Sequence, residues 1–128
     1  MHNSKAISKK NPKNLKNPNS FEGGLSGKPL FNQSNKILRL LAKRKNASTV
    51  LIGVGGIFSA SDIYEKIMLG ASAVQIYTGF VYNGPIHIKK MEMELKNLLL
   101  SDGYKSIDGA VGALIRWERG LDPIYFSP

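Results

Sequence analysis

The chain has 128 residues, 42% of them hydrophobic and 21% charged, so its length suits one small domain or a portion of a larger one. It contains no cysteine, which excludes a disulfide scaffold, a thiolate zinc site and a thiol nucleophile. The net charge is +9, yet five of the 18 basic residues and none of the nine acidic ones fall within residues 1–20. The excess therefore belongs mainly to a leader and not to a patch on a folded face, which argues against specific nucleic-acid recognition.

No apolar run reaches the ~18 residues needed to span a bilayer, and the first residues lack the apolar stretch of a signal peptide. The expectation is a soluble, cytoplasmic chain. Residues 1–20 are polar and punctuated by Asn11-Pro12 and Asn17-Pro18. They read as a basic, disordered leader, because nothing there offsets the cost of ordering. Residues 22–29 form a glycine-rich loop. Ser34 is placed to cap a helix over about 35–45, with Ile37, Leu40 and Leu41 on one face. Arg39, Lys43, Arg44 and Lys45 gather at its end, where the macrodipole favours solvated cations.

Thr49-Val50-Leu51-Ile52 is a continuous apolar run, as in a strand buried on both faces. It leads into Gly53-Val54-Gly55-Gly56-Ile57. Ser59 and Asp62 have capping-box spacing, with Asp in place of the usual Glu or Gln. A helix over 60–69 follows, with Ala60, Ile63 and Ile67 on one face and Gly70 at C′. The pattern then repeats. Ala73-Val74-Gln75-Ile76-Tyr77 is a second short buried strand, closed by Thr78-Gly79. Gly84-Pro85 opens a third helix, since proline suits a first turn. Its stripe is Ile88, Met91, Leu95, Leu98 and Leu99, and Gly103 ends it. A last helix starts near Ser106, with Ile107, Val111, Leu114 and Ile115 on one face, and Gly120 and Pro123 stop it.

Strand, helix, strand, helix in that order makes an α/β chain with two parallel strands. A (β/α)8 TIM barrel needs about 250 residues, and two parallel strands leave edges open. The arithmetic suggests a segment of a barrel, or a subunit whose sheet another chain completes.

The two βα junctions carry the chemistry. Each places backbone N–H groups at a strand's C-terminal end, where glycine admits close approach of a ligand and a helix start favours an anion. A phosphate monoester, on a substrate or a flavin, is the natural ligand. Gly53-Val54-Gly55-Gly56 is not the dinucleotide fingerprint, because Phe58 stands where the third glycine belongs, and no Walker-type Gly-Lys-Ser follows. By itself it reads first as a plain strand-ending turn, and the paired Tyr77-Thr78-Gly79 weakens that reading in favour of a phosphate grip. Lys28 beside Gly27 reads either as phosphate-attracting or as simply solvated. His2 and His87 are the only histidines. His87 reads as a surface or cap residue, and no ligand set for a metal converges. Trp117, between Arg116 and Arg119, reads as packing on its own domain. No carboxylate pair is spaced for acid–base work.

Four linked segments carry a resemblance: Gly23-Gly24-Leu25-Ser26-Gly27-Lys28-Pro29-Leu30, Ile52-Gly53-Val54-Gly55-Gly56-Ile57, Glu65-Lys66-Ile67-Met68-Leu69-Gly70-Ala71-Ser72 and Val74-Gln75-Ile76-Tyr77-Thr78-Gly79-Phe80. Their order and spacing resemble the C-terminal portion of the quinone-linked dihydroorotate dehydrogenases, over about residues 21–113. The resemblance implies a (β/α)8 barrel holding FMN at the strand C-termini. Dihydroorotate then loses a proton to a serine base and a hydride to the flavin, giving orotate, and quinone reoxidises the flavin. It also implies that Gly27, Gly56, Tyr77 and Thr78 touch FMN, mainly its phosphate, with Gly55 and Gly79 as neighbours. Asn3 stands, poorly matched, where the family has an asparagine contacting flavin and orotate. The serine base and the lysine supporting reduced flavin have no counterpart here, so no catalytic residue is assigned and the chain is expected to be inactive alone. A complementary N-terminal chain is then the expected partner. Membrane association enters only through the family's quinone-tunnel helices, which are likewise unmatched. Residues 114–128 depart from the pattern as a divergent tail. A non-catalytic phosphate- or flavin-binding module, or a decayed gene product, are the alternatives.

Overall fold

The computed structural model describes residues 24–121. The basic leader, Asn3 and the end of the tail from Asp122 onward lie outside the described residues. Within them the order is a single 3-10 turn at Lys28–Leu30, α1 (Phe31–Arg44), β1 (Ile52–Val54), α2 (Ala60–Met68), β2 (Ala73–Gln75), α3 (Thr78–Ser101), α4 (Ile107–Ala110) and α5 (Ala113–Glu118). β1 and β2 pair in parallel with Ile52 opposite Ala73, Gly53 opposite Val74 and Val54 opposite Gln75, so the expected βαβ unit forms with α2 as its crossover. No helix among the described residues is long and apolar enough to cross a membrane.

α2 begins where the sequence places it. Ser59 is extended at the N-cap, its hydroxyl accepts the Asp62 N–H, and the Asp62 carboxylate accepts the N–H groups of Ser59 and Phe58 at 3.0 and 2.9 Å. Aspartate at the third helical position thus completes the box that glutamate usually closes. Leu69 ends the helix and Gly70, at φ 112°, takes the C′ position. α3 is broken at Gly84, whose φ of 72° and ψ of −179° are non-helical. The cause is local: the residue before a proline is disfavoured in helical geometry, and Pro85 then starts the longer segment over 85–101.

The main core lies between α2 and α3, closed at one end by α4. Ile57, Ala60, Ile63, Ile67, Met91, Leu95, Leu99 and Ala110 are buried together, with Ile88 and Leu98 packed against them. The expected stripe of α3 is therefore the buried one. Tyr64 donates its hydroxyl to Asp102, tying α2 to the end of α3; burial and this carboxylate raise the phenol's pKa. A second cluster joins Leu38, Leu69, Ala71 and Ile115. It docks α5 on α1, where Glu118 pairs with Arg39 and, at 2.8 Å, with Lys43.

Several expectations are corrected. α1 starts at Phe31, three residues before Ser34, because the turn at Lys28–Leu30 runs directly into it. Its expected face is not the buried one: Ile37, Leu40 and Leu41 are exposed, whereas Asn35 and Leu38 are buried. Arg39 and Lys43 are ion-paired to Glu118 instead of being merely solvated. β1 occupies Ile52–Val54 instead of 49–52, and Val50 and Ile52 are exposed, so the strand is covered on one side only. β2 is likewise half-exposed, because among the described residues no third strand flanks this two-stranded sheet. The last helix is two short ones, divided at Gly112, which adopts φ 71° and donates its N–H to the Ile67 carbonyl at 2.9 Å. Trp117 is partly exposed at the end of α5.

Candidate functional site

Three loops meet at the C-terminal ends of the two strands. The first holds Gly27, at φ 85°, just before the 3-10 turn. The second is Gly55-Gly56-Ile57 after β1, and the third is Tyr77-Thr78-Gly79, which leads from β2 into α3. Their closeness can be read from the space each glycine leaves. A methyl group on Gly27 would lie 3.3 Å from Thr78 Cγ2, and one on Gly79 would lie 2.2 Å from the Ile57 carbonyl oxygen. The expected residues Gly27, Gly55, Gly56, Thr78 and Gly79 are thus brought together, and Tyr77 flanks them with its side chain exposed.

The glycines serve the protein's own packing first. A methyl on Gly56 would fall 2.6 Å from the backbone N and Cα of Phe31, and φ at Gly56 is +73°. Both facts require glycine there. The turn is seated on the start of α1 by a hydrogen bond as well. Ser34 Oγ lies 3.2 Å from the Gly55 carbonyl and 3.0 Å from that of Phe31. In a planar trans peptide the C=O and the following N–H point in opposite directions. With the Gly55 carbonyl turned toward Ser34, the N–H of the buried Gly56 points away from the Ser34 hydroxyl. On the other loop, the first turn of α3 has no side-chain cap at Tyr77, so its leading N–H groups keep their donor capacity for an anion.

Behind this arrangement sits a residue that the sequence reading passes over. Lys66 is wholly buried. Its ammonium donates to Ser34 Oγ at 2.7 Å and to Asn35 Oδ1 at 2.6 Å, and lies 5.1 Å from the Phe31 ring centre. Asn35 donates in turn to Glu65 Oε1 at 2.8 Å. Burial lowers the Lys66 pKa to about 8, against the opposing pull of Glu65 and Asp62. The available signal was positional, since residue 66 follows Ile63 by three on the inward face of α2.

Two other candidates change role. Lys28 is held by Asp62 at 2.9 and 3.0 Å, which settles it as an ion-pair partner of the α2 cap. Burial works against the Asp62 carboxylate, but the hydrogen bonds from Lys28, Phe58 and Ser59 outweigh it and leave the pKa below the ordinary value. His87, expected as a surface or cap residue, is half-buried with Nε2 2.7 Å from the Phe58 carbonyl oxygen. Among the described residues no group of histidines and carboxylates is placed to hold a metal ion. Asn3 lies outside them.

The family model described as dihydroorotate dehydrogenase matches residues 1–99. That match takes in the basic leader, of which the sequence resemblance used only Asn3. Among curated relatives, the dihydroorotate dehydrogenase (quinone) of Haloarcula marismortui is 47% identical over 103 residues, covering 80% of this chain and 29% of the relative. The mitochondrial dihydroorotate dehydrogenase (quinone) of Arabidopsis thaliana is 49% identical over 98 residues, covering 76% of this chain and 21% of the relative. Among solved structures, ligand-free DHODH from Eimeria tenella superposes with a TM-score of 0.69 at 39% identity, over 73% of this chain and 26% of that one. The same enzyme in complex with ferulenol gives 0.71 at 38% identity, over 75% and 26%. The chain therefore spans less than a third of the length of these relatives, and over that span it belongs to the dihydroorotate dehydrogenase family.

Proposed function

We propose that this chain supplies the FMN-phosphate grip of a quinone-linked dihydroorotate dehydrogenase, as the C-terminal segment of a (β/α)8 barrel. The observation that carries this reading is the mutual contact of the Gly27, Gly55–Gly56 and Thr78–Gly79 loops at the ends of adjacent parallel strands. The donor chemistry fits a phosphate monoester. The loops offer backbone N–H groups, the Thr78 hydroxyl and an uncapped helix start, and none of residues 53–57 or 77–80 is acidic. Phosphate monoesters are bound by such donors without a metal.

An FMN held by these residues would supply the redox chemistry by which dihydroorotate is oxidised and quinone reduced. The chain's own residues do the holding. The buried Gly56 turns its N–H away from Ser34, Gly27 lets its loop lie against Thr78, Gly79 lets the third loop close on the Ile57 carbonyl, and Gly55 seats the second on Ser34. Tyr77, exposed next to Thr78, borders the same site. Asn3 is assigned to flavin and orotate contact on the resemblance alone. The proton acceptor is expected from the remainder of the barrel, so this chain by itself should not turn over dihydroorotate.

The test is a titration of FMN, riboflavin and inorganic phosphate against the full chain, followed by flavin fluorescence. FMN should bind more tightly than riboflavin, and phosphate should displace it. A folded chain that binds the two flavins equally, or neither, overturns the proposal.

A further inference from the structure

Lys66 has no part in the grip as described, yet its burial needs a reason. An isolated ammonium in a protein interior is costly, and an apolar side chain of similar length is often no worse for stability. Its stem is tightly enclosed: a methyl group on Gly53 would lie 2.9 Å from Lys66 Cδ, and Ala71 closes the same space. The groups facing the ammonium are few. α1 contributes Ser34, Asn35 and the Phe31 ring. The charges are Glu65 and Asp62 on its own helix, the latter engaged by Lys28. Gly53 and Ala71 add no charge.

What the ammonium supplies and a methionine could not is direction. Lysine only donates, so Ser34 Oγ must accept from it, and the hydroxyl's single proton is left for a carbonyl. The carbonyls in reach are Phe31 and Gly55. The share of that proton given to the Gly55 carbonyl, in competition with the nearer Phe31 carbonyl, fixes the peptide plane that carries the Gly56 N–H.

We propose that Lys66 is the positioning residue of the phosphate grip, acting through Ser34 to turn the Gly56 N–H away from Ser34 of α1 and toward the junction of the three loops, and placing a buried positive charge two hydrogen bonds behind the Gly55 carbonyl. This rests on the flavin-phosphate reading above. The lysine is a device of the loop and touches no ligand itself.

The experiment labels the full chain with glycine carrying 13C at the carbonyl and 15N at the amide. Only Gly23–Gly24 and Gly55–Gly56 are adjacent glycines, so only these two pairs give a carbon–nitrogen coupling. The Gly55 carbonyl resonance should titrate with a midpoint near 8, following Lys66, while the Gly23 carbonyl stays flat. Lys66→Met should abolish the titration. It should also weaken FMN at least tenfold while leaving riboflavin unchanged, a split that loss of packing alone does not produce. Lys66→Arg should restore FMN preference without the titration, because guanidinium keeps its proton. A flat Gly55 carbonyl in the wild-type chain, which needs no variant, overturns the proposal. So does a Lys66→Met chain with an unaltered FMN-to-riboflavin ratio. A wild-type chain that shows the titration but binds no FMN overturns the flavin-phosphate reading and leaves the coupling of Lys66 to Gly55 in force.

Discussion

Gly56→Ala is the sharpest test of how the site is held. Two separate costs arise at this position. The backbone sits at φ +73°, and the new methyl would fall 2.6 Å from the backbone of Phe31. The left-handed conformation costs an L-residue about 1–2 kcal/mol, and overpacking against an element that cannot yield adds about 1–3 kcal/mol. Gly103→Ala isolates the first cost, since φ there is +81° and nothing lies within 4 Å of the added carbon. Both replacements stiffen the unfolded chain alike, so that contribution cancels in the comparison. The expected difference is about 1–3 kcal/mol, and each kcal/mol corresponds to roughly 3–4 °C in Tm for a chain of this length. Thermal unfolding of the two variants, followed by circular dichroism, measures it. Equal Tm values would mean that the turn is not seated on the start of α1, and the account of the loop would fail with it.

Met91→Ala should cost about 2–5 kcal/mol, because Met91 is wholly buried at the centre of the α2–α3 core; urea unfolding reads this, and a loss under 1 kcal/mol would misplace the core. Asp62→Asn should flatten the acid side of the stability profile. With its folded pKa below the ordinary carboxylate value, Asp62 contributes stability that is present above the unfolded pKa and disappears as pH falls through the folded one. Unfolding of wild type and variant across that acid range should converge at the lowest pH, and parallel curves would count against the cap.

The βα units were legible because their signals are local. Ser59 with Asp62, Gly70 after the helix, and proline after Gly84 each act through backbone geometry within a few residues, and all three appear where the sequence puts them. The apolar stripe of α3 was legible because one long face meets one neighbour. α1 was misread for the opposite reason. Its contact with α2 is polar, through Asn35 to Glu65 and Lys66, so hydrophobic spacing selected Ile37, Leu40 and Leu41, which are exposed. Lys66 was missed because a lysine near a helix end ordinarily reads as solvated charge favoured by the dipole. The strands were drawn too long and too buried because an apolar run implies cover on two sides, and the two-stranded sheet provides it on one.

That one-sided sheet also bears on what makes the grip rigid. Three register pairs between two short strands are a weak frame, since isolated two-stranded pairings are marginal in water. The loops are instead located by contacts at their own tips: Gly56 on the backbone of Phe31, Gly79 on the carbonyl of Ile57, and Gly55 on Ser34. Each of these joins a loop to a helix start or to the neighbouring loop, and the α1 contacts are themselves locked to α2 through Lys66. Changes at the tips should therefore disturb the proposed phosphate binding more than changes in strand side chains such as Ile52, which is exposed. In physical terms the site is organised by tightly fitted backbone and one buried cation, and the sheet serves mainly to bring the two βα junctions side by side.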